Sequence, residues 1–275
     1  MVTKRALVVA LNYNNAKHNS RLRASISFVR DNFGYKENIY FIHDDIGQSN
    51  DNSVSFILTQ LRHLITSSVV GDKMVFYFAG HRNYKIFTDN NGVEHMQQYL
   101  ICGEKFIYFG GLTQITDKEL TSCLNILPKD GYLTMIVDCC RSGNLIDGLD
   151  QQLACKGRRG IAYILDIDVA KNMLHRQHQL VSLFSACQKN QVAWEIMKFV
   201  DGQLKVVSIF TDTLLKIVHE KGGRVTNREL MTEVNKFFSI DTCIQTSGLF
   251  CADEHSYALF IGGRQSQLDP LRSIY

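Results

Sequence analysis

Short apolar runs that stop abruptly at polar residues alternate, through the first half of this chain, with segments of helical periodicity. Ala6-Leu7-Val8-Val9-Ala10-Leu11 is a continuous apolar run, as are Met74-Val75-Phe76-Tyr77-Phe78 and, but for one threonine, Leu133-Thr134-Met135-Ile136-Val137. Such runs, bounded by turn residues, read as strands buried on both faces. Between them, Leu22, Ile26, Val29 and Phe33 predict a helix over 21–33 that ends at Gly34. Ile57, Leu58, Leu61, Leu64 and Ile65 predict a second, capped by Ser53. With a further strand over 38–43, the order strand, helix, strand, helix, strand predicts right-handed crossovers and a parallel sheet.

The pattern then changes. Tyr84–Phe87 and Gln97–Cys102 flank the turn-forming Thr88-Asp89-Asn90-Asn91-Gly92, which reads as a hairpin excursion. Thr116 and Glu119, like Thr226 and Glu229, have the spacing of a capping box, so helices are predicted after each. Val207, Phe210, Leu214 and Ile217 mark another helix. Leu180–Ser185 and Ser256–Ile261 complete a predicted sheet of six strands. The polar stretch 148–178 reads as an exposed loop inserted in a single 275-residue domain. It separates residues 1–147 from residues 179–275, which complete the sheet.

Composition narrows the class. The chain is 45% apolar with a net charge of +3 and only 2 prolines. This supports a large core and argues against disordered linkers. No basic or aromatic stripe points to nucleic acid, and no apolar run approaches the roughly 18 residues of a membrane span. The strand-like start at Ala6 does not resemble a secretion signal, so a cytoplasmic location is expected. The eight cysteines are scattered with no C-x-x-C pair, which reads as free thiols in a reducing compartment. His175 and His178 lack partner ligands, so a structural zinc site is not expected.

Two of the buried strands end in reactive side chains. One runs through Ala79-Gly80 to His81, the other through Asp138 to Cys139-Cys140. Open α/β sheets place their ligands at strand carboxyl ends. If these two strands are parallel neighbours, an imidazole and a thiol meet there, as a nucleophile and its base must. Alone, a Cys-Cys pair at a strand end would more often be structural.

Tyr77-Phe78-Ala79-Gly80-His81 resembles the Y-F-S-G-H-G strand end of the metacaspases and other caspase-like cysteine peptidases. Asp138-Cys139-Cys140-Arg141-Ser142-Gly143 is similar to their D-x-C-H-S-G nucleophile motif. The start Ala6–Tyr13, the segment Ile115–Leu120, and Leu183–Gln191, which resembles a later S-G/A-C-x-x-x-Q segment, fall in the family's order. The resemblance implies a caspase-like three-layer α/β/α sandwich with a mainly parallel sheet. It implies a cysteine endopeptidase working through a His81–Cys140 dyad, with the backbone N–H groups of Cys140 and Arg82 facing the oxyanion. Cys139 would point the other way, since neighbours on a strand alternate faces. A helix starting soon after Gly143 would favour the thiolate.

The family's preference for Arg or Lys before the cut implies a pocket at Asp138, Ala79, Ser25 and Phe28. Phe28 stands where the family has an acid, and Ala79 where it has a serine; both departures weaken the basic preference. Asp138 would equally serve as a structural hydrogen-bonding group. Arg82 replaces the family's glycine and would be strained if its backbone needed a positive φ. The chemistry needs no cofactor. Calcium is implied as an activator, with Asp147 and Glu104 as candidate ligands and Lys105 opposing them; Asp89 and Glu94 read as solvated turn residues. Self-cleavage is implied at Lys156, Arg158 or Arg159. Partners are peptide or protein substrates, with neither nucleic acid nor membrane, and a monomer is expected. The alternatives are an active peptidase with a non-basic pocket, or a pseudo-peptidase acting as a regulator or scaffold.

Overall fold

The computed structural model describes residues 3–13, 29, 35, 38–44, 51–103, 113–128, 131–143, 145–146, 149, 151–158, 161–165, 180–188, 191–200, 202–240 and 245–261. Five parallel strands form the body of the main sheet. They are β1 (Lys4–Ala10), β2 (Ile39–His43), β3 (Lys73–Ala79), β7 (Tyr132–Asp138) and β10 (Val181–Ser185). Their spatial order is β2-β1-β3-β7-β10. Beyond β10 the sheet continues antiparallel through β13 (Gly248–Phe250), β8 (Gln151–Arg158) and β9 (Ile161–Leu165), for eight strands in all. From β1 the chain first adds β2 on one side and then crosses to β3 on the other. The gap between the carboxyl ends of β1 and β3 is therefore a topological switch point, where α/β sheets hold their ligands.

Helices cover both faces because both faces are apolar. In β1, Leu7 and Val9 face one side with Met74, Phe76 and Phe78 of β3 and Leu133, Met135 and Val137 of β7. Helices α1 (Val54–Thr66) and α2 (Asp117–Leu124) close that side through Ile57, Leu61, Leu120 and Leu124. On the other side Ala6, Val8, Val75, Tyr77 and Ile136 meet helices α3 (Ile209–Glu220) and α4 (Asn227–Ile240) through Phe210, Leu214, Leu230 and Val234. Burying each large aliphatic or aromatic side chain contributes about 1.5–3 kcal/mol, which leaves no place for a charge in these strands before their ends.

The caps predicted from sequence form. Ser53 Oγ accepts from Phe56 N, and Thr116 with Glu119 completes a capping box. Thr226 and Glu229 make the same reciprocal bonds. The hairpin excursion is also present as β4 (His81–Thr88) and β5 (Glu94–Ile101), which β6 (Gln114–Thr116) extends to a three-stranded antiparallel sheet. Among the described residues no helix is long and apolar enough to cross a membrane.

Four expectations need correction or fall elsewhere. The main sheet has two strands more than six, because part of the stretch read as an exposed loop, 148–178, pairs as the hairpin β8–β9. The strand predicted over Ser256–Ile261 is a short helix, α5 (Asp253–Ser256), followed by a single bridge from Leu259 to Thr226; the sixth strand is β13 instead. Val207 lies not in a helix but in the hairpin of β11 (Glu195–Val200) and β12 (Gln203–Ser208), and α3 begins after it. The helix over 21–33 lies outside the described residues, except that Val29 is buried.

At the opposite end of the sheet from the switch point, Asp72 ties β1 to β3. Its carboxylate accepts from Thr3 N (3.0 Å), Arg5 Nε (3.1 Å) and Val69 N (3.2 Å). Burial pushes the Asp72 carboxyl up, but the Val69, Arg5 and Thr3 donors outweigh it and hold it below the usual carboxylate range. A depressed folded value contributes stability above the unfolded value, about 3.9, and loses it as pH falls through the folded one. Asp72→Asn is therefore expected to lower the urea midpoint at pH 7, with the gap to wild type shrinking below about pH 4. A gap that stays constant with pH would show that the charge is not what stabilises this junction.

Candidate active site

The site is set by strand register. β3 pairs β7 in parallel from Lys73↔Tyr132 to Ala79↔Asp138, and Gly80 N continues the ladder to Asp138 O at 3.4 Å. His81 and Cys140 each follow the last pair, Ala79↔Asp138, by two residues. Neighbouring strands lie about 4.8 Å apart, so the two side chains leave adjacent backbones. Cys139 continues the set Leu133, Met135 and Val137, and is buried in the core under α1 and α2. Cys140 follows in the turn after β7 and is half-buried. His81, two residues on from Ala79, opens β4 and is exposed. Burial holds the Cys139 thiol well above its ordinary pKa, so it stays protonated and inert.

Two residues that the sequence reading passed over hold His81. Tyr13 follows β1 across the switch point, and its ring stacks on the imidazole with centroids 4.7 Å apart and planes 22° from parallel. His81 N donates to Tyr13 Oη at 2.8 Å, and Tyr13 Oη donates to Ile101 O at 2.7 Å. Tyr13 reaches this position with φ at 55°, in the left-handed region that non-glycine residues rarely adopt. Asp44, buried after β2, accepts from Asn12 N and Tyr13 N, both at 2.6 Å, and so secures that conformation. The available signal was position: Tyr13 and Asp44, like His81 and Cys140, come just after the carboxyl end of a parallel strand.

The nucleophile turn is held from the other side by the segment after β10. Arg141 N donates to Cys187 Sγ (2.9 Å) and to Gln191 O (3.0 Å), and Gly143 N donates to Cys187 O (2.8 Å). Arg141 has φ at 57°, so the turn carries backbone strain right after Cys140. Its guanidinium lies 4.9 Å from the Tyr84 ring centre. Burial pushes the Cys187 thiol up to about 11, which suits a neutral structural partner. Residues 139–143 run as bends and turns, and none of the described residues between Gly143 and β8 is helical. The helix-terminus contribution expected from sequence is thus absent from the described turn, because the chain leaves it for β8.

Asp138 is 8% exposed, and hydroxyls surround it. Its carboxylate accepts from Ser208 Oγ (2.9 Å), from Thr211 Oγ1 and, more weakly, from Tyr77 Oη (3.4 Å). Ala79 is buried beside it at the end of β3. Arg82 sits in β4 with ordinary strand geometry, so the strain feared at this position does not arise. Its side chain is buried and donates to Gly143 O at 3.5 Å, while Nε has no partner. Burial lowers the guanidinium's pKa.

Lys156 and Arg158, proposed from sequence as cleavage points in an open loop, lie in β8 paired with Tyr163 and Ile161 of β9. The backbone there is part of a ladder, and the apolar run Ile161–Leu165 explains why. Arg159, Ser25, Phe28, Glu104 and Asp147 lie outside the described residues. Among the described residues no cluster of three or more His, Cys, Asp or Glu could hold a metal ion. Asp89, read as a turn residue, behaves as one, accepting from Asn91 N (2.8 Å) and Val93 N (2.9 Å).

Fold and site together define a caspase-like α/β protein. The family described as "Metacaspase, peptidase C14 domain" matches residues 4–149, more than half of the chain, and the chain belongs to it. Among curated relatives, metacaspase-6 of Arabidopsis thaliana is 27% identical over 160 residues, covering 55% of this chain and 41% of its own length. Metacaspase-4 of the same plant is 26% identical over the same share of this chain and 36% of its own. The chain thus spans well under half of both. Metacaspase-9 of that plant is 21% identical over 95% of this chain and 98% of its own. A crystal structure of a Geobacter sulfurreducens protein shares the fold, with a TM-score of 0.61 at 12% identity over 96% of this chain and all of its own.

Gly80, between β3 and β4, lies against the Tyr13 hydroxyl. A Cβ there would lie 2.5 Å from Tyr13 Oη and 3.0 Å from the Phe78 ring. Gly80→Ala is expected to cost about 1–3 kcal/mol in a denaturant melt, the range of core overpacking. Wild-type stability in that variant would show that Tyr13 does not pack there.

Proposed function

We propose that this protein hydrolyses peptide bonds with Cys140 as nucleophile and His81 as general base. The observation that carries the reading is the β3–β7 register, which ends the two strands side by side at Ala79 and Asp138, each two residues short of His81 and Cys140. In the reaction, Cys140 Sγ gives its proton to His81 and attacks the carbonyl carbon before the cut. The tetrahedral oxyanion is met by the backbone N–H groups of Cys140 and Arg82. Its collapse breaks the C–N bond, and His81 returns the proton to the leaving amine. Water, activated by the same imidazole, then hydrolyses the thioester and restores the thiol. No cofactor takes part in these steps, and calcium enters as an activator to be tested, not as a reactant.

The substrate is a peptide or protein, cut after Arg or Lys, with Asp138 as the acidic group of the pocket. The hydroxyls of Ser208, Thr211 and Tyr77 favour a second reading for the pocket alone. They already occupy much of the Asp138 carboxylate's acceptor capacity, which would suit a peptidase with non-basic preference.

A peptide-library profile, run with calcium and with chelator, tests both parts. Cleavage after Arg and Lys that disappears in Asp138→Asn supports the basic pocket; an even or apolar profile supports the second reading. Cys140→Ala and His81→Ala are each expected to reduce turnover by about 10²–10⁴-fold or more, and Cys139→Ala to leave it nearly intact. A thiol-reactive peptide should label wild type and Cys139→Ala but not Cys140→Ala. Wild type that neither turns over nor labels under any of these conditions would contradict the peptidase and leave the scaffold alternative.

A further inference from the structure

His81 is gripped at two points by a residue from another strand. The Tyr13 ring lies flat under the imidazole at 4.7 Å, and the Tyr13 hydroxyl takes the His81 backbone N–H at 2.8 Å. The ring face carries partial negative charge, so it favours the imidazolium over the neutral ring. The hydroxyl, fixed in turn on Ile101 O, sets where the backbone of His81 leaves the sheet. Asp44 completes the device by holding Tyr13 at a φ it would not adopt unaided.

We propose that Tyr13, locked by Asp44, is the positioning residue for His81, its ring stabilising the protonated imidazole against the Cys140 thiolate and its hydroxyl fixing the imidazole's place. This rests on the dyad proposed above. Several other groups around His81 titrate or carry charge: Cys139, Cys140 and Arg141 follow β7, and Arg82 is adjacent. Asp138 lies at the end of β7 and Cys102 closes β5. The variants below leave all of these in place, so a change reports on Tyr13 itself.

The signs follow from the stack. Without the ring the imidazolium is less favoured, so the pH at which His81 loses its proton falls. The thiolate then loses part of its counter-charge, so the pH at which Cys140 ionises rises. Tyr13→Leu should therefore narrow the pH profile of kcat/KM from both sides and raise the pH at which Cys140 alkylation by iodoacetamide sets in. Alkylation at neutral pH should fall by about 2- to 30-fold, the span of a cation over an aromatic face. Tyr13→Phe keeps the ring and should leave both limbs in place while lowering kcat at unchanged KM. Asp44→Asn should lower kcat in the same way.

Thermal melts establish that each variant is folded. Wild-type limbs in folded Tyr13→Leu would overturn the proposal, as would equal narrowing in Tyr13→Phe. If Tyr13→Leu does not fold, the other two variants decide: lowered kcat at constant KM supports the device, and wild-type kcat in both refutes it. Failure of the underlying dyad has a separate signature. In that case His81→Ala would alkylate with the same pH profile as wild type, whatever the Tyr13 variants do.

Discussion

Everything at this site depends on β3 and β7 pairing in parallel with no slip. Seven consecutive residue pairs, all buried but for Lys73 at the start, hold that register. A shift by one residue would turn Phe76, Phe78, Met135 and Val137 to the wrong face at once. The same shift would exchange Cys139 for Cys140 at the exposed edge. Core packing and the placing of the two thiols are therefore one constraint: apolar burial along the strands decides which sulfur is sealed in the core and which is left at the strand edge.

Beyond the strand ends, the fold has to hold polar groups where the core stops, and it does so from several elements. Asp44 after β2 fixes Tyr13, Tyr13 fixes His81, and Cys187 with Gln191 after β10 fixes the turn at Arg141. Two left-handed non-glycine residues, Tyr13 beside His81 and Arg141 next to Cys140, are each secured by hydrogen bonds from outside their own strands. Strain held in this way at a strand edge belongs to preorganisation, since the groups are already ordered in the free protein. The hydroxyls that surround Asp138 show the opposite pull, because every donor that satisfies its carboxylate in the free protein would compete with any cation brought to it.

Much of this was legible in the sequence, for a physical reason. Continuous apolar runs such as Met74–Phe78 can only be strands covered on both faces, and Gly80-His81 and Asp138-Cys139-Cys140 mark where they end. The capping boxes at Thr116 and Thr226 were readable because they are local. What was not readable depends on pairing between distant segments. Ile161–Leu165 is as apolar as any strand, but its charged neighbours Lys156, Arg158 and Arg159 made the stretch look like a loop. The short Gly248–Phe250 gains its place from neighbours on both sides, so no periodicity announces it. Tyr13 and Asp44 carry no chemistry by residue type, and their role exists only once β1, β2 and β3 lie side by side.

The most direct test is a crystal structure of the protein with a peptide-based thiol-reactive inhibitor bound. The account predicts a covalent bond to Cys140 Sγ, with the His81 ring against the adduct and still stacked on Tyr13. An adduct on Cys139 or Cys187, or an imidazole turned away to the far side of Gly80, would contradict it.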